Sequence, residues 1–303
     1  MRIIVLTDHP FALASLQALV EKDILEGIVT ASSNKDLLIQ LNQLCDKVGI
    51  PLLQVHPKKM EQQLGIFLRK QKATAVFVFG FSHKISTKLL QIPRWGFINF
   101  HPSQLPQFRG PNPDFWQIKS QVEQGGITAH KMDKDWDKGE IIGVLPISIS
   151  AEMTTSHYLS EAGFYTIQLM NMVVSALQIG QLPGQKQEES KASYQKNPSK
   201  SDLRIDWMEQ SVEEIRALVN ACNSALGGAI TFIRNNPLQI LQVAIMEEES
   251  EQEVGVIISI NPLLVACRDR KILKIEIVQI AEGIITGERF AELAEVKMGE
   301  FFS

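Results

Sequence analysis

Short apolar runs alternate with helical patterns through the first hundred residues of this chain, and few folds accept that alternation. Residues 2–6 read as a strand, 11–21 as a helix, 25–30 as a strand and 35–48 as a helix with apolar positions Leu37, Leu38, Leu41 and Leu44. Residues 51–55 then read as a strand, 60–70 as a helix, 73–79 as a buried strand, 87–92 as a short helix and 97–100 as a strand. Strands that alternate with helices form right-handed βαβ units, which build a Rossmann-like parallel sheet covered on both faces. Ligands of such sheets bind beyond the carboxyl ends of the strands, so the informative loops are those after Phe79 and Phe100. The turn after the first strand, Thr7-Asp8-His9-Pro10, has no Gly-x-Gly-x-x-Gly pattern to admit a pyrophosphate, which argues against a dinucleotide site.

The chain has 303 residues, more than the roughly 100–200 of one ordinary domain, so two domains are expected. Its 45% apolar and 21% charged residues supply the apolar surface that packed cores need. A stretch rich in Pro, Gly, Gln, Lys and Ser, without apolar period, runs from Leu182 to Ser201. It divides the chain into a first domain over 1–183, a linker over 184–201 and a second domain over 202–303. In the second, residues 211–222 read as an amphipathic helix. Residues 229–234, 238–246, 254–260, 263–267 and 272–280 read as strands at hairpin spacing, broken at Asn235-Asn236-Pro237 and Asn261-Pro262. About five such strands imply a small, OB-like β-barrel.

No apolar run approaches the ~18 residues that span a bilayer, and residue 1 leads straight into a strand without a signal-peptide layout. A cytoplasmic protein without membrane association is expected. Cys45, Cys222 and Cys267 are far apart, odd in number and outside any Cys-x-x-Cys pair, which fits buried thiols better than a disulfide framework or a zinc site. No metal is expected.

The densest cluster of unusual residues is Asn99-Phe100-His101-Pro102-Ser103-Gln104-Leu105-Pro106, followed by Arg109-Gly110-Pro111-Asn112-Pro113. Four prolines stiffen a loop that leaves a strand end, and stiffness suits a site that must hold side chains to a fraction of an ångström. Asn99 and His101 are two apart on an extended segment, so both point to one face and converge on one substrate atom. A second polar segment, Met132-Asp133-Lys134-Asp135-Trp136-Asp137-Lys138-Gly139-Glu140, follows the strand-like residues 127–132. An aspartate in such a loop can orient His101 and favour its imidazolium.

The string Asn99-x-His101-Pro102-Ser103-x-Leu105-Pro106, with Trp136-Asp137-x-Gly139 some three dozen residues later, resembles the signature of the 10-formyltetrahydrofolate-dependent formyltransferases. Arg204-Ile205-Asp206-Trp207 after the linker is similar to the start of the carboxy-terminal barrel in the methionyl-tRNA and sugar-nucleotide branches of that family. The resemblance implies a catalytic trio of Asn99, His101 and Asp137 and 10-formyltetrahydrofolate as the formyl donor. It places the pterin between Phe81, Ser82, His83, Lys84 and Ile85 on one side and Asp133, Lys134, Asp135 and Trp136 on the other. Acceptor contacts are expected from Ser103, Arg109, Gly110, Pro111 and Asn112, with the Arg109 guanidinium gripping a phosphate and the following helix offering its amino terminus. Gln104 stands where leucine is usual and Lys138 where a small residue or threonine is usual.

The chemistry is amine attack on a formyl carbon, with Asn99 and protonated His101 donating to the developing oxyanion and Asp137 sustaining the imidazolium and accepting the amine proton. The acceptor is read from charge. Residues 201–303 carry 9 Lys and Arg against 17 Asp and Glu, a balance of −8, and residues 31–37 carry one lysine. Methionyl-tRNA formyltransferases place a basic loop and a basic barrel against the tRNA, and an acidic domain is a poor grip for a phosphate backbone. A small amine, such as an amino-sugar nucleotide, is therefore expected over tRNA, which is the alternative. Hydrolysis of the same donor and non-catalytic folate binding are the remaining readings.

Overall fold

A computed structural model describes residues 1–223 and 226–303, which form two compact units. The first comprises residues 1–113, 124–148 and 159–195, and the second 114–123, 149–158 and 196–303.

In chain order the first sheet is built from β1 (Ile3–Thr7), β2 (Leu25–Thr30), β3 (Leu52–Gln54), β4 (Ala75–Phe79), β5 (Phe97–His101), β6 (Gln124–Lys131) and β7 (Ile141–Ser148). Between them lie α1 (Leu13–Glu21), α2 (Lys35–Val48), α3 (Met60–Lys70), α4 (Thr87–Leu90) and α5 (Pro113–Lys119), and α6 (Thr155–Gln178) follows β7. The sheet order is β3-β2-β1-β4-β5-β6-β7. The pairs from β3 to β5 are parallel, as the βαβ alternation requires.

The expectation of a parallel sheet throughout is corrected at β6 and β7, which pair antiparallel to β5 and to each other. A short connection explains β7: it returns from the polar loop after β6 without a crossover helix, and only an antiparallel neighbour can be reached that way. Strand residues alternate between two cores. Ile3, Val5, Phe77, Phe79, Ile98 and Phe100 pack with Leu16, Leu41, Leu169 and Val173 on one face, while Ile4, Leu6, Val76, Val78 and Phe97 pack with Leu64, Phe67 and Leu89 on the other. Chain order reverses direction in the sheet between β1 and β4, the point where an open α/β sheet forms its crevice. Asp8 ties the loops at this point: its carboxylate accepts from Thr30 Oγ1 at 3.1 Å, the Ala31 amide at 2.7 Å and the Ser82 amide at 3.2 Å.

Of the residues expected as a linker, those up to 195 are built into the first unit. Gln185 bridges to Ile141, and Ser193 and Gln195 exchange backbone hydrogen bonds with Pro106 and Arg109.

The second unit holds α7 (Val212–Cys222), α8 (Gly287–Leu293) and an antiparallel sheet of β8 (Ala229–Ile233), β9 (Asn236–Glu249), β10 (Ile257–Ile260), β11 (Leu263–Ala266), β12 (Lys271–Ile280) and β13 (Gly283–Thr286). A Ser211 capping box with Glu214 starts α7. The β8–β9 turn is Arg234-Asn235, both at positive φ, so Asn236 and Pro237 lie inside β9 rather than in the break. The tail bonds to both ends of this sheet: Phe232 of β8 exchanges backbone hydrogen bonds with Ser303, while Ile257 at the start of β10 donates to Glu300 and accepts from Gly299. The three cysteines are buried and unbridged, and burial pushes the thiols up to about 11 at Cys45 and about 12 at Cys222 and Cys267. Among the described residues no helix is long and apolar enough to cross a membrane, and no three His, Cys, Asp or Glu side chains are grouped to hold a metal ion.

Candidate active site

Strand β5 ends on Asn99 and His101, and β6 runs beside it in a register that sets Asn99 opposite His130 and His101 opposite Thr128. Directly opposed residues of an antiparallel pair share a face, so two strands deliver four polar side chains to one side of the sheet. Thr128 locks the loop beyond His101: its hydroxyl donates to the Ser103 carbonyl at 2.6 Å and accepts from the Leu105 amide at 3.1 Å. Gln104, standing where leucine is usual, donates to the Gly125 carbonyl of β6 at 2.6 Å.

Asp137 arrives from the loop after β6. Gly139 forces the chain close at this point, because a Cβ there would lie 1.7 Å from the Lys131 carbonyl oxygen. Asp137 Oδ2 accepts from the Gly110 amide at 2.9 Å, while Oδ1 lies 3.4 Å from Asn99 Nδ2, 3.5 Å from His130 Nε2 and 3.9 Å from His101 Nδ1. Burial alone would raise this carboxyl. The His101 charge, the hydrogen bond and charge of His130 and the Gly110 amide outweigh burial and hold it well below the usual carboxylate range. His101 is buried and its Nε2 donates to the Phe108 carbonyl at 2.9 Å, which turns Nδ1 toward Asp137.

Phe81, Lys84, Ile85, Asp133, Lys134, Asp135 and Trp136 line one cleft together with Asn99, His130 and Asp137, enclosing about 410 Å³ that opens to solvent. Val78 and Met132 complete the lining. Ser82 and His83 are not on it: the Ser82 amide is taken by Asp8, and the His83 ring packs edge-on to Phe81 with centroids 5.6 Å apart.

Two of the acceptor positions need correction. Arg109 cannot grip a ligand phosphate, because its side chain is fully buried and its donors are spent inside the first unit. Its Nε and Nη2 donate to Gln187 Oε1 at 3.0 and 2.8 Å, Nη1 and Nη2 donate to the two Glu189 carboxylate oxygens at 3.1 and 2.8 Å, and Nη1 also donates to the Tyr194 hydroxyl. Ser103 is buried as well and donates to the Gln107 carbonyl at 2.9 Å. Gly110 gives its amide to Asp137, and Pro111 and Asn112 are exposed. The helix that follows, α5, is only 7 residues long, so the amino terminus expected to receive a phosphate belongs to a short helix with a weak dipole. Lys138 sits over the Tyr194 ring, 5.6 Å from its centroid, with its ammonium 3.9 Å from Glu189.

From sequence, His130 precedes the polar loop and can line the cleft but reads more safely as packing; the structure sets it on the cleft wall. Its signal is present as Thr128-x-His130, a period-two polar pair on a strand, but only the antiparallel register with β5 puts that pair beside Asn99.

Residues 1–170 match the formyl transferase family model and residues 198–293 match the model of the formyl transferase carboxy-terminal domain. The chain belongs to the formyl transferase family. It is 28% identical over 268 residues to a methionyl-tRNA formyltransferase of Halothermothrix orenii, covering 86% of this chain and 84% of that protein. Crystal structures of lower identity share the fold. HypX from Aquifex aeolicus in complex with tetrahydrofolic acid superposes with a TM-score of 0.70 at 15% identity, over 96% of this chain and 47% of HypX. The N-formyltransferase from Helicobacter canadensis, in complex with folinic acid and dTDP-3-aminofucose, superposes with a TM-score of 0.69 at 14% identity, over 91% of this chain and 98% of that one. The chain thus spans about half the length of HypX, 84% of the Halothermothrix orenii protein and 98% of the Helicobacter canadensis one.

Proposed function

We propose that the chain transfers the formyl group of 10-formyltetrahydrofolate to a primary amine of a small acceptor such as an amino-sugar nucleotide. The observation that carries this reading is the convergence of Asn99, His101, His130 and Asp137 beside a cleft walled by Phe81, Ile85 and residues 133–136. The apolar Phe81 and Ile85 and the polar residues 133–136 on one cleft support this reading, since a pterin has a flat face and a hydrogen-bonding edge.

The donor supplies a formyl group on N10. The amine nitrogen forms a bond to its carbon, the carbonyl oxygen takes up negative charge, and cleavage of the C–N10 bond completes the transfer. The Asn99 amide can turn to that oxygen, since its 3.4 Å contact to Asp137 is long and one hydrogen is readily redirected. Phe108 holds His101 with Nδ1 as the working nitrogen, turned toward the ionised Asp137 3.9 Å away. Asp137, kept anionic, takes the proton lost by the amine and passes it to N10 as the C–N10 bond breaks, so that tetrahydrofolate leaves neutral. Catalysis is assigned to residues 1–183, with residues 184–195 as structural support.

For the acceptor, the −8 balance of residues 201–303 supports a small amine over a phosphate backbone. The second reading is methionyl-tRNA, favoured by the similarity to the Halothermothrix orenii protein. The two are separated by assaying formylation of amino-sugar nucleotides and of charged initiator tRNA side by side. Transfer to the nucleotide sugar supports the first reading, and transfer to tRNA alone replaces it. In the second unit, the carboxy-terminal tail supports closure of the sheet into a small OB-like barrel, because residues 299–303 bond to β8 and to the start of β10, the two ends of the strand order.

A further inference from the structure

Asp137 occupies a conformation that its own chain does not favour. Its φ is +53°, the left-handed region that a non-glycine residue keeps only where the surroundings enforce it. Enforcement comes from outside the loop. Gln187 Nε2 donates to the Asp137 carbonyl at 2.7 Å and to the Gly139 carbonyl at 2.8 Å, which uses both hydrogens of one amide to close the turn that carries the carboxylate. The Gln187 oxygen is itself fixed, accepting from Arg109 Nε and Nη2. Arg109 is locked in turn by Glu189 and Tyr194, and the next amide, that of Gly110, donates to Asp137 Oδ2. The backbone around Arg109 is pinned to the same segment, with the Arg109 amide donating to Ser193 and the Gln195 amide to the Arg109 carbonyl.

We propose that Gln187 is a positioning residue for Asp137: its amide holds the left-handed turn and so aims the carboxylate at Asn99, His101 and His130. A stretch whose composition reads as linker thereby supplies the clamp of the acid-base group. The use made of Asp137 rests on the formyl-transfer reading, but the clamp does not. A merely structural tie would explain contact with one partner. It does not explain an amide whose two hydrogens and oxygen are divided between the Asp137 turn and the arginine next to the Gly110 donor.

The titratable groups that face the Asp137 carboxylate are His101 on β5 and His130 on β6, and Asp133, Lys134, Asp135 and Lys138 share its loop. If the turn relaxes, the carboxylate leaves both histidines and the Gly110 amide, and its proton affinity returns toward that of an ordinary aspartate.

The test follows the Asp137 carboxyl carbon by NMR in protein labelled with ¹³C at aspartate Cγ, between pH 7 and pH 3, with the resonance assigned through Asp137→Asn. In the parent chain it should stay ionised across this range. In Gln187→Glu, which keeps the volume and the acceptor for Arg109 but loses both donors, the midpoint should rise by about one pH unit or more into the ordinary aspartate range near 3.9. Gln187→Leu should behave likewise, and should it fail to fold, Gln187→Glu decides alone. An Asp137 titration unchanged in a folded Gln187→Glu variant would overturn the proposal. The titration needs no substrate, so it tests the clamp even in a parent chain that proves inactive in formyl transfer.

Discussion

Asn99 and His130 stand opposite each other across β5 and β6, with Asn99 Nδ2 3.1 Å from His130 Nε2. His130 Nδ1 donates to the Lys131 carbonyl at 3.0 Å, so Nε2 is the nitrogen free to change role. In the neutral ring it accepts from Asn99. In the protonated ring it donates to Asp137, 3.5 Å away, and releases an Asn99 hydrogen. His130 Nε2 thus lies within reach of both the Asn99 amide and the Asp137 carboxylate, which links the two side chains.

Replacing His130 with Phe removes that link while keeping a ring of similar size. Turnover should fall about 10- to 100-fold, because a misplaced catalytic group costs roughly that much. Steady-state kinetics should show the loss in kcat, with the donor KM little changed. An unchanged kcat would return His130 to packing.

Asn99→Ala and His101→Ala should each lower turnover about a hundredfold or more, since one preorganised oxyanion donor contributes on the order of 3 kcal/mol. Folate affinity by calorimetry should stay within a few fold, as these bonds strengthen only in the transition state. A collapse of folate affinity with intact kcat would make them binding residues instead.

The Asp137 carboxyl is held below the usual range, opposed by burial and carried by His101, His130 and Gly110. The unfolded chain titrates near about 3.9, so the folded state gains stability from this group at pH above that value and loses it as pH falls toward the folded-state pKa. Urea unfolding between pH 7 and pH 3 should therefore show the parent losing more stability than Asp137→Asn below about pH 4. Parallel losses in the two would remove Asp137 from the acid response.

Arg109→Lys should destabilise the first unit by about 3 kcal/mol, because an ammonium cannot replace a buried guanidinium shared by Gln187, Glu189 and Tyr194. Thermal and urea melts measure this. Normal stability with a raised acceptor KM would restore Arg109 to the acceptor.

Much of this is legible in the residues themselves. The helix Lys35–Val48 can be read to its ends, because Leu37, Leu41 and Cys45 repeat at helical spacing between the Asn34 cap and a left-handed Gly49. Asn99 and His101 are legible because two residues on a strand must share a face. β7 is not: its residues are mostly half-buried or exposed, and Gly143 and Pro146 mask the strand signal on an edge that tolerates proline. Strand direction and register leave no local mark, which hides His130. Arg109 shows the same limit, since its burial depends on Gln187 and Glu189, about 80 positions away in sequence and inside a stretch whose composition reads as solvated.

Formyl transfer itself is decided by incubating the chain with 10-formyltetrahydrofolate and a panel of amino-sugar nucleotides, following tetrahydrofolate release together with the mass of the amine product. The expected result is one tetrahydrofolate for each amine that gains a formyl group, lost in Asn99→Ala. Neither donor consumption with any amine or charged tRNA nor folate binding by calorimetry at millimolar ligand would contradict the assignment of this cleft.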